Sequence, residues 1–418
     1  MRGLESTVPY YQKVHSFWAE KPLKVIAWQD ALTEAKGWLV INKQINGAAG
    51  GGIRMKPGVT AAEVTELAKD MSLKFTLLNP CIGGAKAGID YDPSKADKQG
   101  VLQRFVEHIQ PELLCGYGTG GDLNISESEL ISALAVVGIS HPQYGIVAGV
   151  KKSGYPVDEK NAIARLRRGV VLPHDGSTLV ELSTGKGVIE TVKAALEYTF
   201  GTGSFKGKTA TIQGFGVVGG GAAKYFSEGG GTVIAISDEK GMIYCEDGLD
   251  ISRLLKNRIN GRIVNRTDLP SNYSLGDREK LLGVQADVLI PAAQSYAITD
   301  RNASTISARI ISEGANSPTT PAAKEIINKK GILVIPDFIA NAGVACLFHE
   351  CMFYDAPLKG DLLLSRISTA IGNKTRRLLK ARDSSSEKDF RLLAQADAIE
   401  TMEKWTRLKA GSFDEKSV

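Results

Sequence analysis

The chain has 418 residues, 43% of them hydrophobic and 23% charged, an average globular composition that excludes disordered, collagen-like and coiled-coil proteins. That length predicts two or three domains, each able to bury a core without staples. The 51 basic and 46 acidic residues leave a net charge of +5, and the basic residues form only short clusters, Lys151-Lys152 and Arg165 to Arg168, which counts against a nucleic-acid partner.

Residues 1–21 are polar and mixed in charge, with no apolar segment of a secretory signal. No later run of about 18 apolar residues exists to span a membrane, so a cytoplasmic protein is expected. The five cysteines, Cys81, Cys115, Cys245, Cys346 and Cys351, are odd in number and scattered, as free thiols of a reducing compartment would be. There is no CxxC and no HxxxH pair, so no metal site is expected. The histidines at 15, 108, 141, 174 and 349 read as ordinary packing residues.

Residues 38–42 predict a strand and residues 61–78 a helix, with Thr60 and Glu63 spaced as a capping box. Val64, Leu67, Met71 and Leu78 fall on one helical face, and Lys74 falls on the same stripe. A lysine on a buried stripe either snorkels to water or serves a site. Twelve residues on, Gly83-Gly84-Ala85-Lys86-Ala87-Gly88 sets a second lysine among glycines, a run that lets a ligand or another backbone approach closely. Two ammonium groups in one desolvated cleft would depress at least one pKa and make a general base.

A strand-helix rhythm begins near Lys206. It predicts a strand over 208–213, a helix over 219–227, and strands over 232–236, 288–290, 310–312 and 332–335. Repeated units of this kind imply a parallel sheet with helices on both faces. From about Asp361 the chain reads as amphipathic helix, with a polar tail from Gly411. No internal repeat is present.

Glycine is the one composition outlier, 45 of 418 against a usual share of about 7%. Its most informative cluster is Gly214-Phe-Gly216-Val217-Val218-Gly219, which follows a strand and opens a helix, with Asp238 ending the next strand 24 residues after Gly214. This is the layout of a dinucleotide-binding unit. Gly214 makes the tight turn, Gly216 admits the pyrophosphate and Gly219 lets helix and strand pack. The helix N-terminus favours the phosphates. Asp238 is placed to accept hydrogen bonds from the adenosine ribose, which favours NAD over NADP.

From about Trp38 to Glu350 the chain resembles the Glu/Leu/Phe/Val dehydrogenase family, typified by glutamate dehydrogenase. The resemblance rests on Gly51-Gly-Ile-Arg-Met55, Lys74 with Gly83-Gly-Ala-Lys86, Gly121-Asp122, Gly176-Ser177 with Thr184-x-x-Gly187, and Gln213-Gly-Phe-Gly216. It continues through Ile290-Pro-Ala-Ala293, Ser312-Glu-Gly-Ala-Asn-Ser-Pro-Thr-Thr-Pro321 and Pro336-Asp-Phe-Ile-Ala-Asn-Ala-Gly343. It implies a two-domain α/β fold: a substrate and oligomerisation domain over 1–182, a Rossmann domain over 183–350, and C-terminal helices over 351–418 that return to the first. It further implies that Lys74 binds the substrate α-carboxylate, Lys86 is the catalytic lysine and Asp122 works with it on the amino group. Thr184, Ala292, Asn316 and Asn341 would join Gly214, Gly216, Val217, Val218, Gly219 and Asp238 around the cofactor. The implied reaction passes hydride from an L-amino acid to NAD, NADP remaining open, and releases a 2-oxo acid and ammonia. A homo-oligomer, a hexamer by preference, is the implied assembly.

Four positions depart from the family pattern. Glutamate-specific members carry a lysine where this chain has Gly50, beside Gly51, and a serine where it has Leu347 or Phe348, depending on a one-residue gap. A substrate side-chain carboxylate would lose both partners, and an unpaired buried charge costs several kcal/mol. An apolar amino acid such as leucine, valine or phenylalanine is therefore expected, unless a basic residue from 151–168 replaces the lysine. Pro80-Cys81-Ile82 alters the turn before Gly83, with Cys81 read as a buried filler. Val217 stands where many members have asparagine. With Val344, these departures leave room for a second reading, a weakly active paralogue with a regulatory role. A hydroxy-acid dehydrogenase is disfavoured, because no histidine stands in a catalytic context.

Overall fold

A computed structural model describes residues 8–78, 81–385 and 387–407. Pro80, the first seven residues and the tail from Gly411 lie outside the described residues. The chain divides into two compact units. One contains Val8–Arg168, His349–Ala356 and the chain from Gln395; the other contains Gly169–Phe348 and Pro357–Ala394. These bounds differ from those expected. The division falls at Gly169, and the helix Gly360–Ser384 stays with the second unit, its Ile371 packed against Gly187 of the helix Leu179–Phe200. From the expected C-terminal segment the first unit takes residues 351–356 and the last helix, Phe390–Arg407, from Gln395 on.

The first unit is built on a mixed sheet of β1 (Lys24–Gln29), β2 (Lys36–Ile41), β3 (Ala49–Gly50), β4 (Ile53–Met55), β5 (Gly83–Asp90) and β6 (Tyr117–Gly118). Its order is β1-β2-β5-β3-β6, and β4 also pairs with β5. β1 and β2 run antiparallel to their neighbours, whereas β3 and β4 lie parallel to β5. β5 is covered on both faces, with seven of its eight residues buried. Its glycines account for this. A Cβ on Gly84 would lie 2.0 Å from the Ser72 amide nitrogen and 2.5 Å from the Ala68 carbonyl, so the helix α1 (Ala61–Phe75) rests directly on the strand backbone. Of the two uses the glycine run allowed, backbone approach is the one realised here.

Two expectations for α1 change. Thr60 Oγ1 accepts the Glu63 N–H as an N-cap, but the Glu63 carboxylate turns to Arg54 and Lys56 and completes no capping box. The buried face runs through Val64, Ala68, Ser72 and Leu73, while Leu67, Met71 and Lys74 are half-buried. Small residues face β5 because only they permit the close approach, so the larger apolar side chains lie beside it. The deeply buried lysine is Lys69, which donates to the Trp18 and Glu20 carbonyls.

The second unit carries a seven-stranded sheet. Its spatial order is Ser274–Gly276, Gly241–Tyr244, Thr232–Asp238, Thr209–Gln213, Val288–Pro291, Ile310–Ser312 and Leu333–Ile335. The last five are mutually parallel, as the βα rhythm predicts; the first two form an antiparallel edge that the rhythm does not reveal. The helix Val217–Glu228 starts two residues before the expected position. It crosses the helix Leu179–Phe200 at glycines: a Cβ on Gly185 would sit 2.6 Å from the Gly221 backbone.

Gly84→Ala should cost about 1–3 kcal/mol by overpacking the contact between α1 and β5, read as a lower urea midpoint of the full chain. An unchanged midpoint would show that the helix does not rest on this backbone.

Candidate functional site

Lys86 is central in β5, paired across the ladder with Val40, and only 6% of its side chain is exposed. A parallel bridge between Ile53 and Gly121 brings the following residue, Asp122, toward the same strand, and the Asp122 N–H donates to the Ile53 carbonyl. Lys86 Nζ then lies 2.8 Å from Asp122 Oδ2. A second cation meets the same oxygen: Arg54 Nε donates to Oδ2 at 2.9 Å. The other end of Arg54 donates to Glu63 Oε1 at 2.8 Å, and Lys56 reaches Glu63 Oε2 at 3.0 Å. The structure thus sets Lys86 and Asp122, both expected in the site from the sequence, side by side, and adds Arg54, which enters the sequence only as part of Gly51-Gly-Ile-Arg-Met55.

Burial by itself would raise the Asp122 carboxyl, but the charges of Lys86 and Arg54 and their hydrogen bonds outweigh it and hold the group well below the usual carboxylate range. Both cations act on Oδ2; no partner is found for Oδ1 among the described residues. The result is an ionised carboxylate with one oxygen fixed and the other open, suited to accept a hydrogen bond from an amine.

Lys74 is half-buried in the last turn of α1. Gly50 and Gly51 follow on the neighbouring strand and its extension. A Cβ on Gly50 would meet the Phe75 ring at 2.8 Å and Ile146 Cδ1 at 3.2 Å. The volume a longer side chain would need is thus already filled by apolar groups. Gly51 abuts the Ala85 carbonyl, one residue before Lys86. Cys81 is buried, in keeping with a filler, and no disulfide joins any of the five cysteines.

The second unit assembles the glycine turn. Gly214 adopts φ +90°, open to glycine at little cost, and a Cβ on Gly219 would lie 1.9 Å from the Gly214 carbonyl. Gly216 is the N-cap of the helix, and beyond its Cα the nearest atom is Arg262 Cβ at 3.9 Å. That opening admits a phosphate to the unpaired first-turn N–H groups of Val217 and Val218. A cavity of about 850 Å³ flanks the turn, lined by Gly216, Val217, Lys224, Arg258 and Arg262 among others. Arg258 donates to the Gly216 carbonyl at 3.2 Å, which holds a cation beside the turn.

Ala292 donates its N–H to the Gln213 carbonyl at 2.7 Å, and Gly314 packs on Ala292 and Val218. Asn341 Nδ2 donates to Asn316 Oδ1 at 3.0 Å and to the Gly314 carbonyl at 3.3 Å. Asn341 Oδ1 and Gln213 Oε1 are buried acceptors with no partner, and such groups call for a donor from outside the chain. Thr184 is buried in the helix Leu179–Phe200. Leu347 is buried and Phe348 half-buried in the helix Gly343–Phe353. The cradle and the orphaned acceptors fit a nicotinamide dinucleotide.

The role expected for Asp238 does not survive. Its side chain is 2% exposed and carries a bidentate pair with Arg266, so it has no face to offer a ribose. A second arginine without a sequence signal is Arg391, which links the start of the last helix to the buried carboxylates of Glu313 and Asp337, at 2.9 Å for the latter. Asp337 opens the short helix that leads to Asn341, so this link steadies the Asn341 segment. These pairs join residues 28, 54 and 78 positions apart, which local spacing cannot report.

A parallel sheet bearing a dinucleotide turn, with a lysine-carboxylate pair in a separate unit, defines a nicotinamide-dependent dehydrogenase of the two-domain α/β type. Residues 176–351 match the Glutamate/Leucine/Phenylalanine/Valine dehydrogenase family, and residues 23–131 match the dimerisation domain of Glu/Leu/Phe/Val dehydrogenases. A glutamate dehydrogenase of Aeropyrum pernix is 33% identical over 319 residues, covering 75% of this chain and 70% of that one. One from Thermotoga maritima is 34% identical over 319 residues, covering 73% and 70%. Among solved structures, the hetero-hexameric glutamate dehydrogenase of Thermus thermophilus in its Leu-bound form has the same fold. Its TM-score is 0.73 at 21% identity, over 99% of this chain and 98% of that one. The glutamate dehydrogenase of Plasmodium falciparum gives TM-score 0.73 at 20% identity, over 99% and 93%. The chain belongs to the Glu/Leu/Phe/Val dehydrogenase family, NAD(P)-dependent oxidoreductases acting on the CH–NH2 group of amino acids.

Arg54→Gln removes one of the two cations on Asp122. The carboxyl pKa should rise, so activity that depends on the ionised form should be lost at a higher pH on acidification than in the wild type. The measurement is kcat/KM against pH; an acid limb that stays in place would show that Arg54 does not act through Asp122.

Proposed function

We propose that the chain catalyses oxidative deamination of an L-amino acid with an apolar side chain, releasing a 2-oxo acid and ammonia. The observation that carries the side-chain preference is Gly50, where the Phe75 ring and Ile146 occupy the space of the lysine that glutamate-specific members use. A side-chain carboxylate brought there would be desolvated without a partner. The basic residues of 151–168 offer little replacement: Lys151 pairs with Glu159 at 3.2 Å, Arg165 donates to the Cys351 and Ala356 carbonyls, and Arg167 donates to the Ser140 carbonyl.

The residues divide the work by position. Lys74 holds the substrate α-carboxylate and so orients the Cα–H, a gain in proximity and not in chemistry. Asp122 Oδ1 accepts a hydrogen bond from the substrate amine and orients it while the ammonium proton passes to water, since only a neutral amine can release hydride from Cα. When bound, the nicotinamide ring supplies the hydride acceptor, held by the glycine turn with Thr184, Ala292, Asn316 and Asn341. Water then adds to the carbon of the resulting C=N bond and gives up a proton, which Lys86 Nζ and Asp122 exchange across their 2.8 Å contact. Collapse of the adduct releases ammonia and leaves the 2-oxo acid.

A purely regulatory paralogue has less support, because Lys86, Asp122 and Arg54 keep a charge arrangement that burial penalises and folding alone does not require. The dimerisation-domain match over 23–131 supports an oligomer, with the hexamer as the proposed form. No helix among the described residues is long and apolar enough to cross a membrane, and a cytoplasmic location is proposed.

The test is a panel of L-amino acids with each dinucleotide, read by absorbance of the reduced ring. Leucine, valine or phenylalanine should exceed glutamate in kcat/KM by at least about a hundredfold, the factor that about 3 kcal/mol for an unpaired buried charge corresponds to. Lys86→Ala should abolish turnover. Glutamate as the best substrate would overturn the apolar assignment, and no turnover on any amino acid would overturn the enzyme reading.

A further inference from the structure

We propose that this chain accepts the 2′-phosphate of NADP(H) about as readily as the free ribose of NAD(H), because Asp238 is the inner half of an ion pair with Arg266. The inference rests on the dinucleotide reading of the glycine turn. A carboxylate that selects NAD must have lone pairs free for the ribose hydroxyls and a negative charge that repels a 2′-phosphate. Asp238 has neither.

A carboxylate offers about four acceptor positions, and four donors from the chain occupy those of Asp238. The Lys240 N–H and Arg266 Nη2 donate to Oδ1, both at 2.8 Å. The Val264 N–H at 2.8 Å and Arg266 Nη1 at 2.5 Å donate to Oδ2. Arg266 is itself anchored, donating from Nη1 to the Val264 carbonyl at 2.7 Å and from Nη2 to the Gly241 carbonyl at 3.1 Å. The guanidinium lies over the acid, with 18% of its side chain exposed against 2% for Asp238. What the solvent meets at the end of this strand is therefore the arginine.

The neighbouring charges point the same way. Glu239 is exposed and faces Arg262 Nε at 3.5 Å, and Lys240 is exposed between them in sequence. Two carboxylates, Asp238 and Glu239, stand against three cations, Lys240, Arg262 and Arg266, which leaves one net positive charge in this set at the end of the strand Thr232–Asp238. An exposed pair such as Glu239–Arg262 is screened and weak, so it does not restore the repulsion that a bare Asp238 would exert.

The experiment is fluorescence titration of the purified full chain with NADH and with NADPH, which reads binding apart from turnover. Wild-type dissociation constants should agree within tenfold. Arg266→Gln bares the Asp238 charge and should weaken NADPH relative to NADH by at least tenfold. Asp238→Asn, nearly isosteric and so retaining the fold, leaves Arg266 uncompensated and should shift the ratio the other way, at least fivefold toward NADPH. Circular dichroism checks that each variant is folded, and if Arg266→Gln is not, Asp238→Asn decides. A wild-type preference for NADH above tenfold overturns the proposal, as does an Asp238→Asn ratio equal to that of the wild type. Binding of neither dinucleotide would sink the reading of the glycine turn itself, and this inference with it.

Discussion

The first unit depends on one carboxylate oxygen shared by two cations. Asp122 Oδ2 takes hydrogen bonds from both Lys86 and Arg54, and the arrangement decides more than the charge of one group. It brings β5, β4 and the loop after β6 to a common point and keeps the acid ionised against the pull of burial. It also leaves Oδ1 open. A buried ion pair seldom adds much stability after desolvation, so its value here lies in fixing where a charge sits.

That fixed charge requires a strand enclosed on both faces, and the enclosure is the work of missing side chains. Gly84 lets Ser72 and Ala68 of the helix approach the β5 backbone, while Gly51 abuts the Ala85 carbonyl. Lys86 is thus held in a strand with few alternative positions. The same economy recurs in the second unit, where Gly185 and Gly221 let two helices cross at backbone distance and Gly219 seats the fingerprint helix on its own turn. At these positions the glycines record close approach between elements, whereas at Gly216 the missing side chain leaves space a ligand could use.

Much of this was legible in the sequence. The parallel strands of the second unit, the turn from Gly214 to Gly219 and the pairing of Lys86 with Asp122 each followed from local order or from a run of family motifs. The misreadings share a cause. Hydrophobicity places Leu67 and Met71 on one buried stripe with Val64 and Leu78; the last two are buried, but the contact of α1 with β5 is made by Ala68 and Ser72, because Gly84 admits only small groups there. Glu63 looked like a capping residue, but Arg54 and Lys56 compete for it from another strand. Asp238 stood at the right place for a ribose, while Arg266, 28 positions on, had already taken its lone pairs.

The sequence by itself determined the class of fold and, through the motifs it shares with the family, pointed to Lys74, Lys86, Asp122 and Gly50, because motif resemblance depends on residue identity and order along the chain. Tertiary structure decided which charges are spent within the protein and which remain available. Arg54, Arg266 and Arg391 each commit to carboxylates far away along the chain, and a hydrogen bond uses up a lone pair wherever its donor comes from. The free oxygen of Asp122 and the filled one of Asp238 are the same chemical group in the sequence. Only the count of donors that reach each one in three dimensions separates them.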